Sequence, residues 1–128
     1  MTADVLAAAH HLVEAFGRHN TEAYFATFAE DATFVFYNHP ERLESRQAWR
    51  DLWTEWEGEG FRVLDCRSTN QLVQLLTDDT AVFSHSVETQ AQFGEETSTT
   101  FERETIVFRK TDGAWLAVHE HLSPIAPD

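Results

Sequence analysis

Apolar side chains in the first part of the chain recur with the period of an α-helix. Val5, Ala9, Leu12 and Phe16 are spaced by three or four residues, which places them on one face of a helix. This helix is expected to end within residues 17–20, where a glycine and an asparagine occur. A short second helix follows, so the chain begins with two helical segments.

A third helix is predicted after a loop that contains a proline. Ser45 is a suitable N-cap, and Trp49, Leu52, Trp53 and Trp56 then follow the spacing of one helical face. Three indoles on one face need a large apolar surface to cover them. The pattern therefore predicts that this helix packs into a broad, curved partner.

From Phe61 onward, the pattern changes to the period of two that is typical of strands. Turn-forming residues separate the segments, and one more strand lies between the second and third helices. Helices that precede long hairpins predict an α+β fold, with the helices packed on one face of a sheet. We expect a single domain over residues 1–128, cone-shaped, with three N-terminal helices on a strongly curved, mainly antiparallel sheet of about six strands. The predicted strands are 32–37, 61–67, 70–76, 80–93, 96–109 and 114–123.

Composition narrows the range of partners. Nine basic and 22 acidic residues give a formal net charge of −13, which repels phosphate backbones and anionic lipid headgroups. Nucleic acid and membrane are therefore not expected as partners. With Cys66 as the one cysteine, no internal disulfide can form, which fits a reducing compartment. Neither a leader nor a long apolar span is apparent, so a cytoplasmic location is expected.

The turn at Gly94-Glu95 predicts the register of one hairpin. A two-residue turn that begins with glycine pairs Phe83 with Ile106 and His85 with Glu104. Apolar residues then meet apolar residues, and polar meet polar. This agreement favours the register.

A second turn at 110–113 extends the prediction to the last strand. Without a bulge, Glu104 faces His119 and Glu102 faces His121, on the same face as Trp115. A single bulge would reverse the faces from that point on.

The resulting row of His85, Glu104 and His119 has three interpretations. It is either a polar network in a cavity wall, with each charge-assisted bond contributing about 1.5–3 kcal/mol, or an acid–base group, or a metal site. Adjacent strands are about 4.8 Å apart, so the carboxylate is better placed to bond the imidazoles than to share a metal with them. We therefore take these three as the candidate catalytic residues and expect no metal. The residues expected to line the cavity are Tyr37, Trp49, Trp53, Trp56, Phe83, Glu102, Ile106, Trp115 and His121.

The end of the chain carries a resemblance to a known family. The turn Gly113-Ala114-Trp115, followed by His119-Glu120-His121-Leu122-Ser123, resembles the closing hairpin of SnoaL-like domains in the nuclear-transport-factor-2-like superfamily. It is also similar to the association domain of calcium/calmodulin-dependent protein kinase II. The order of elements extends the resemblance over essentially the whole chain. It implies the cone-shaped, cystatin-like fold.

The resemblance leaves the function open. The superfamily includes isomerases, dehydratases, cyclases and modules without catalytic activity, so fold does not decide among them. Val87 and Ile106 stand where the kinase association domain carries pocket arginines, whereas Arg50 corresponds to another. An anion-binding pocket of that type is therefore not expected.

Three functions are consistent with the sequence. The first is a cofactor-independent isomerase, dehydratase or cyclase that uses acid–base residues in the cavity. The second is a non-catalytic pocket for a small apolar or partly polar ligand, and the third is a homo-oligomeric assembly module. Relatives commonly dimerise through the outer sheet face, so a homodimer is expected. That face is predicted to carry Val82, Ser84, Ser86, Glu88, Arg103, Thr105, Val107, Arg109, Leu116, Val118, Glu120 and Leu122.

Overall fold

The structure, a computed structural model, describes residues 1–125 and confirms the predicted α+β class. Within that range, three helices and five strands follow one another along the chain. Each of these helices is too short or too polar to span a membrane. In chain order the elements are α1 (Thr2–Gly17), α2 (Thr21–Phe25), β1 (Phe28–Phe36), α3 (Arg46–Gly58), β2 (Phe61–Thr77), β3 (Thr80–Phe93), β4 (Glu96–Thr111) and β5 (Ala114–Pro124).

The five strands form one sheet in the order β1-β5-β4-β3-β2. β1 runs parallel to β5, and every other neighbouring pair is antiparallel. The two segments predicted at 61–67 and 70–76 are one strand, β2, with an irregularity where Asn70 adopts a φ of +54°. Asparagine tolerates this left-handed conformation, so the strand bends without ending.

The helices cover the concave face of the sheet. Ser45 Oγ accepts a hydrogen bond from the Ala48 amide at 3.0 Å and so caps α3 as predicted. Trp49 and Trp53 are buried, and Trp56 packs against the same core while remaining partly exposed. The predicted apolar face of α3 is thus confirmed, and its indoles form one wall of the interior.

The β3–β4 register agrees with the prediction, with Phe83 opposite Ile106 and His85 opposite Glu104. Both strands run without a shift from Thr80 to Phe93. The polar pair therefore lies on the concave face, directly beneath the helices.

The β4–β5 register differs from the prediction because β5 contains a bulge. Phe108 pairs with Ala117, but Val107 pairs with His119, so Val118 is an extra residue without a partner on β4. From that point Glu120, rather than His119, faces the interior, and Glu104 lies opposite Leu122. The turn also lies at Asp112-Gly113, with Thr111 opposite Ala114, which moves the partners by two residues before the bulge adds one more. The predicted pairing of Glu104 with His119 and of Glu102 with His121 is wrong for these two reasons.

The bulge also corrects the predicted outer face. Glu120 and Leu122 turn inward, while His119 and His121 take their place on the convex surface. The assignments on β3 and β4 are unaffected, because their register has no shift.

Candidate functional site

A cavity of about 370 Å³ lies between the helices and the concave face of the sheet. Its lining is mainly apolar and aromatic, and each of the three helices and five strands contributes at least one residue. Exposed members such as Tyr37, Asn38 and Phe93 mark the mouth, whereas Glu104 and Glu120 are buried. The lining residues are Leu12, Val13, Phe16, Tyr24, Phe36, Tyr37, Asn38, Trp49, Trp56, Phe61, Cys66, Val87, Thr89, Ala91, Phe93, Ser98, Thr100, Glu102, Glu104, Glu120 and Leu122.

A chain of hydrogen bonds connects the cavity wall to the protein surface. His85 Nε2 lies 2.7 Å from Glu104 Oε1 and donates to it, since a carboxylate can only accept. His85 Nδ1, on the other side of the ring, lies 2.6 Å from Ser68 Oγ. Gln71 Nε2, on the exposed side of β2, donates to Ser68 Oγ at 2.9 Å. The imidazole is therefore held in one orientation from both sides.

Glu104 and Glu120 form a carboxyl pair at the inner end of the cavity. Burial opposes ionisation of Glu104, but hydrogen bonds from Glu120 and His85 outweigh it, so the pKa of Glu104 lies below its ordinary value. Burial, followed by the charge of Glu104, raises the pKa of Glu120 well above its ordinary range. These opposite directions place the proton that the pair shares on Glu120 and leave Glu104 as the carboxylate.

Glu120 has unused hydrogen-bonding capacity. Its side chain is 4% exposed, and Oε2 has no hydrogen-bond partner among the residues that the structure describes. A buried polar atom without a partner is destabilising by about 1–3 kcal/mol. The carboxyl group lines the cavity, so a molecule bound there can supply the missing bond.

A third carboxyl group, Glu102, lies nearer the mouth. The Tyr37 hydroxyl donates to Glu102 Oε2 at 2.5 Å, and the Thr100 hydroxyl donates to Oε1 at 3.4 Å. Burial raises the pKa of Glu102, and the hydrogen bond from Tyr37 partly offsets that effect. Tyr37 and Glu102 together place a polar rim beside the aromatic walls.

The residues predicted to line the cavity fall into three groups. Tyr37, Trp49, Trp56 and Glu102 contact it. Four others are buried in the core around it, and His121 is exposed on the convex face. The four core residues are Trp53, Phe83, Ile106 and Trp115.

The candidate catalytic residues divide in a similar way. His85 and Glu104 are brought together, but His119 lies on the other side of the sheet, where its Nδ1 is 2.8 Å from the Thr33 hydroxyl. Burial, followed by the neighbouring charge of His121, lowers the pKa of His119. His119 therefore has no contact with the carboxyl pair.

Sequence reasoning missed Glu120 and Ser68. Glu120 was assigned to the outer face because strict alternation was extended through Val118. One signal was present. If the alternation along β5 shifts by one residue, the apolar Leu122 points into the interior together with Glu120, whereas strict alternation exposes Leu122. Ser68 carried no signal, because only the register of β2 brings it to His85.

Within residues 1–125, no group of three or more histidine, cysteine or acidic side chains has the arrangement of a metal site. Cys66 contacts the cavity, and burial raises the pKa of its thiol to about 12. The thiol is protonated at neutral pH and is a poor nucleophile in that form. The carboxyl groups are therefore the groups best suited to chemistry.

Comparison with known proteins identifies the family. A family model described as a SnoaL-like domain matches residues 5–127, which is nearly the whole chain. No protein of curated function matches the sequence.

Solved structures share the fold at low sequence identity. A ketosteroid isomerase-like protein from Erwinia carotovora atroseptica has a TM-score of 0.85 and 20% identity, over 98% of this chain and 96% of that one. A nuclear-transport-factor-2-like protein from Rhodospirillum rubrum has a TM-score of 0.83 and 20% identity, over 96% and 99%. A candidate calcium/calmodulin-dependent protein kinase II association domain from Xanthomonas campestris has a TM-score of 0.81 and 22% identity, over 97% and 87%. At these identities the likeness concerns the fold alone.

Proposed function

Because this chain belongs to the SnoaL-like domain family, we propose that it is a cofactor-independent acid–base enzyme acting on a small molecule in the cavity. The observation that carries the proposal is the Glu104–Glu120 pair, two buried carboxyl groups that both line the cavity, of which Glu104 is also bonded to His85. The pKa of Glu104 is lowered and that of Glu120 is raised. Such a difference assigns the two groups opposite tasks at one pH. The reaction class is an isomerisation, dehydration or cyclisation.

In this proposal Glu104 is the base and Glu120 is the acid. Glu104 accepts a proton from a carbon or hydroxyl of the substrate, and Glu120 donates one to an oxygen that gains negative charge. The proton that Glu120 donates is the one that it shares with Glu104, and it becomes available as Glu104 takes up the proton of the substrate. His85 holds Glu104 in place through the hydrogen bond from Nε2. The contact of the other ring nitrogen with Ser68 fixes the orientation of the imidazole.

Proton exchange at carbon tests this function without knowledge of the natural substrate. Small cyclic ketones and unsaturated ketones are incubated with the protein in deuterium oxide, and deuterium incorporation beside the carbonyl is followed by proton NMR. We expect incorporation by the native protein, a loss of at least 100-fold in Glu104→Gln, and native rates in Glu95→Gln, a control on an exposed turn. Equal incorporation by native protein and Glu104→Gln would refute the assignment of the base.

The expected pH profile of this exchange is bell-shaped. The acidic limb reports protonation of Glu104, and the alkaline limb reports loss of the proton from Glu120. Since the two groups are hydrogen-bonded, the apparent values belong to the pair. A Glu120→Gln variant should lose the alkaline limb while keeping the acidic one.

We also propose that two copies associate through the convex face of the sheet. Leu72 and Phe101 on that face are 55% and 54% exposed, and half-buried apolar residues such as Val82, Val107 and Leu116 lie among polar ones. Exposed apolar patches rimmed by polar residues are typical of protein interfaces. Sedimentation at micromolar concentration should give twice the chain mass of 14.7 kDa, and a monomer would contradict the proposal.

A further inference from the structure

The charged groups of the cavity wall all have the same sign. Its ionisable groups come from β4, β5, β2, α2 and the end of β1, whereas α1 and α3 contribute only apolar and aromatic side chains. His85 is covered by Glu104 and does not line the cavity. The ionisable lining residues are Glu102, Glu104, Glu120, Cys66, Tyr24 and Tyr37, so no lining side chain in residues 1–125 is basic.

The arginine that corresponds to a pocket arginine of the kinase association domain does not line the cavity. Arg50 on α3 pairs with Glu22 and lies over the Phe25 ring, 5.6 Å from its centroid. Val87, which stands where the kinase association domain carries another pocket arginine, lines the cavity with an apolar side chain. An anionic group inside the cavity therefore finds no counter-charge, while the net charge of −13 repels it at long range.

Aromatic rings line the same cavity as the carboxyl groups. Trp49 and Trp56 from α3 lie with ring centroids 5.4 Å apart, and Phe61 packs 5.5 Å from Trp56. All three line the cavity. Aromatic faces attract a cation through their quadrupole, most strongly when water is excluded.

We propose that the cavity selects organic cations, namely protonated amines with an apolar body, whose ammonium group binds between Glu102, Glu104 and the free Oε2 of Glu120. The apolar body lies against the aromatic walls. This proposal goes beyond the proposed function by naming a class of ligand for the same cavity. Such a ligand is not the substrate, because its ammonium group occupies the carboxyl groups that the reaction uses. It uses the buried oxygen without a partner as the acceptor for the ammonium group.

Binding of a cation should release a proton. Burial and the charge of Glu104 raise the pKa of Glu120 and so favour its neutral form. An ammonium group beside it favours the carboxylate, so the proton passes to solvent as the complex forms. The groups that face Glu120 and influence this step are Glu102 and Glu104 of β4 and Tyr24 of α2, with His85 behind Glu104. Cys66 of β2 interacts with Glu104 and Glu102.

Three ligands with one shape and three charges test the proposal. Phenethylamine, phenethyl alcohol and phenylacetate are titrated at neutral pH, and binding is measured by calorimetry and by tryptophan fluorescence. We expect the amine to bind at least tenfold more tightly than the alcohol, and phenylacetate to bind more weakly than either. Calorimetry in two buffers of different ionisation enthalpy should show proton release with the amine alone.

Variants connect the preference to the carboxyl groups. Glu120→Gln should reduce the preference for amine over alcohol at least fivefold and abolish proton release, and Glu102→Gln should reduce the preference with proton release retained. Glu95→Gln, on an exposed turn, should leave both unchanged. Equal binding of amine and alcohol, tighter binding of phenylacetate, or no binding of any of the three would overturn the proposal.

The outcome is independent of catalysis, because binding needs no turnover. An amine preference without proton exchange at carbon would refute the proposed function alone. Exchange on neutral ketones with no amine preference would refute the cation selectivity alone.

Discussion

Substituting Glu120→Gln should change how the stability of the fold depends on pH. Glutamine has the shape of a protonated glutamate and can still donate a hydrogen bond to Glu104, so the packing is retained. What the substitution removes is the ability to ionise. It therefore isolates the effect of one buried carboxyl group, which is 4% exposed.

The sign follows from the direction of the pKa shift. Glu120 has a raised pKa in the folded state and about 4.3 in the unfolded chain. Below that unfolded value, both states are protonated and its stabilising effect is complete. As pH rises toward the folded pKa, the unfolded state loses the proton first, so the free energy of unfolding falls. The slope from this one group approaches 1.4 kcal/mol per pH unit, or about 3 kcal/mol over two units within that window.

Urea denaturation followed by tryptophan fluorescence at pH 5, 6, 7 and 8 measures the effect. The free energy of unfolding of the native protein should fall relative to that of Glu120→Gln as pH rises, so that the variant is the more stable at pH 8. The surface variant Glu95→Gln controls for the loss of one negative charge from a chain of net charge −13. Parallel pH profiles for native protein and Glu120→Gln would show that Glu120 is not held neutral in the fold, and the acid assigned to it would fail.

Three further predictions concern the walls of the cavity. Tyr37→Phe removes the hydroxyl that donates a hydrogen bond to Glu102, so the pKa of Glu102 should rise further. Carbon-13 NMR of the side-chain carboxyl group measures this pKa, and a fall would contradict the contact. Trp53→Ala should lower the free energy of unfolding, measured by urea denaturation, by about 3–5 kcal/mol, because Trp53 is fully buried. Trp56→Ala should lower it by less, because Trp56 is partly exposed. Burial raises the pKa of Cys66 to about 12, so its alkylation at pH 8 should be at least 100-fold slower in the folded protein than in urea; equal rates would show an accessible thiolate.

Local patterns in the sequence were sufficient for the architecture. The period of apolar residues identified α3 and the face that buries Trp49 and Trp53, because an amphipathic helix must direct that face into a core. The turn at Gly94-Glu95 determined the pairing of His85 with Glu104, since a two-residue turn leaves only one register. These features depend on residues close together in the chain.

The composition of the site depended on tertiary structure. The extra residue Val118 on β5 exchanges His119 for Glu120 on the inner face, and nothing local to Val118 announces a bulge. A bulge forms where the strand must bend to stay paired with β1 and β4 together, and that is a property of the whole sheet. The sequence by itself determined the fold, the cavity and one carboxylate with its histidine. Only the assembled sheet decided that the second partner of Glu104 is a carboxyl group, because a shift of one residue reverses every side chain beyond it.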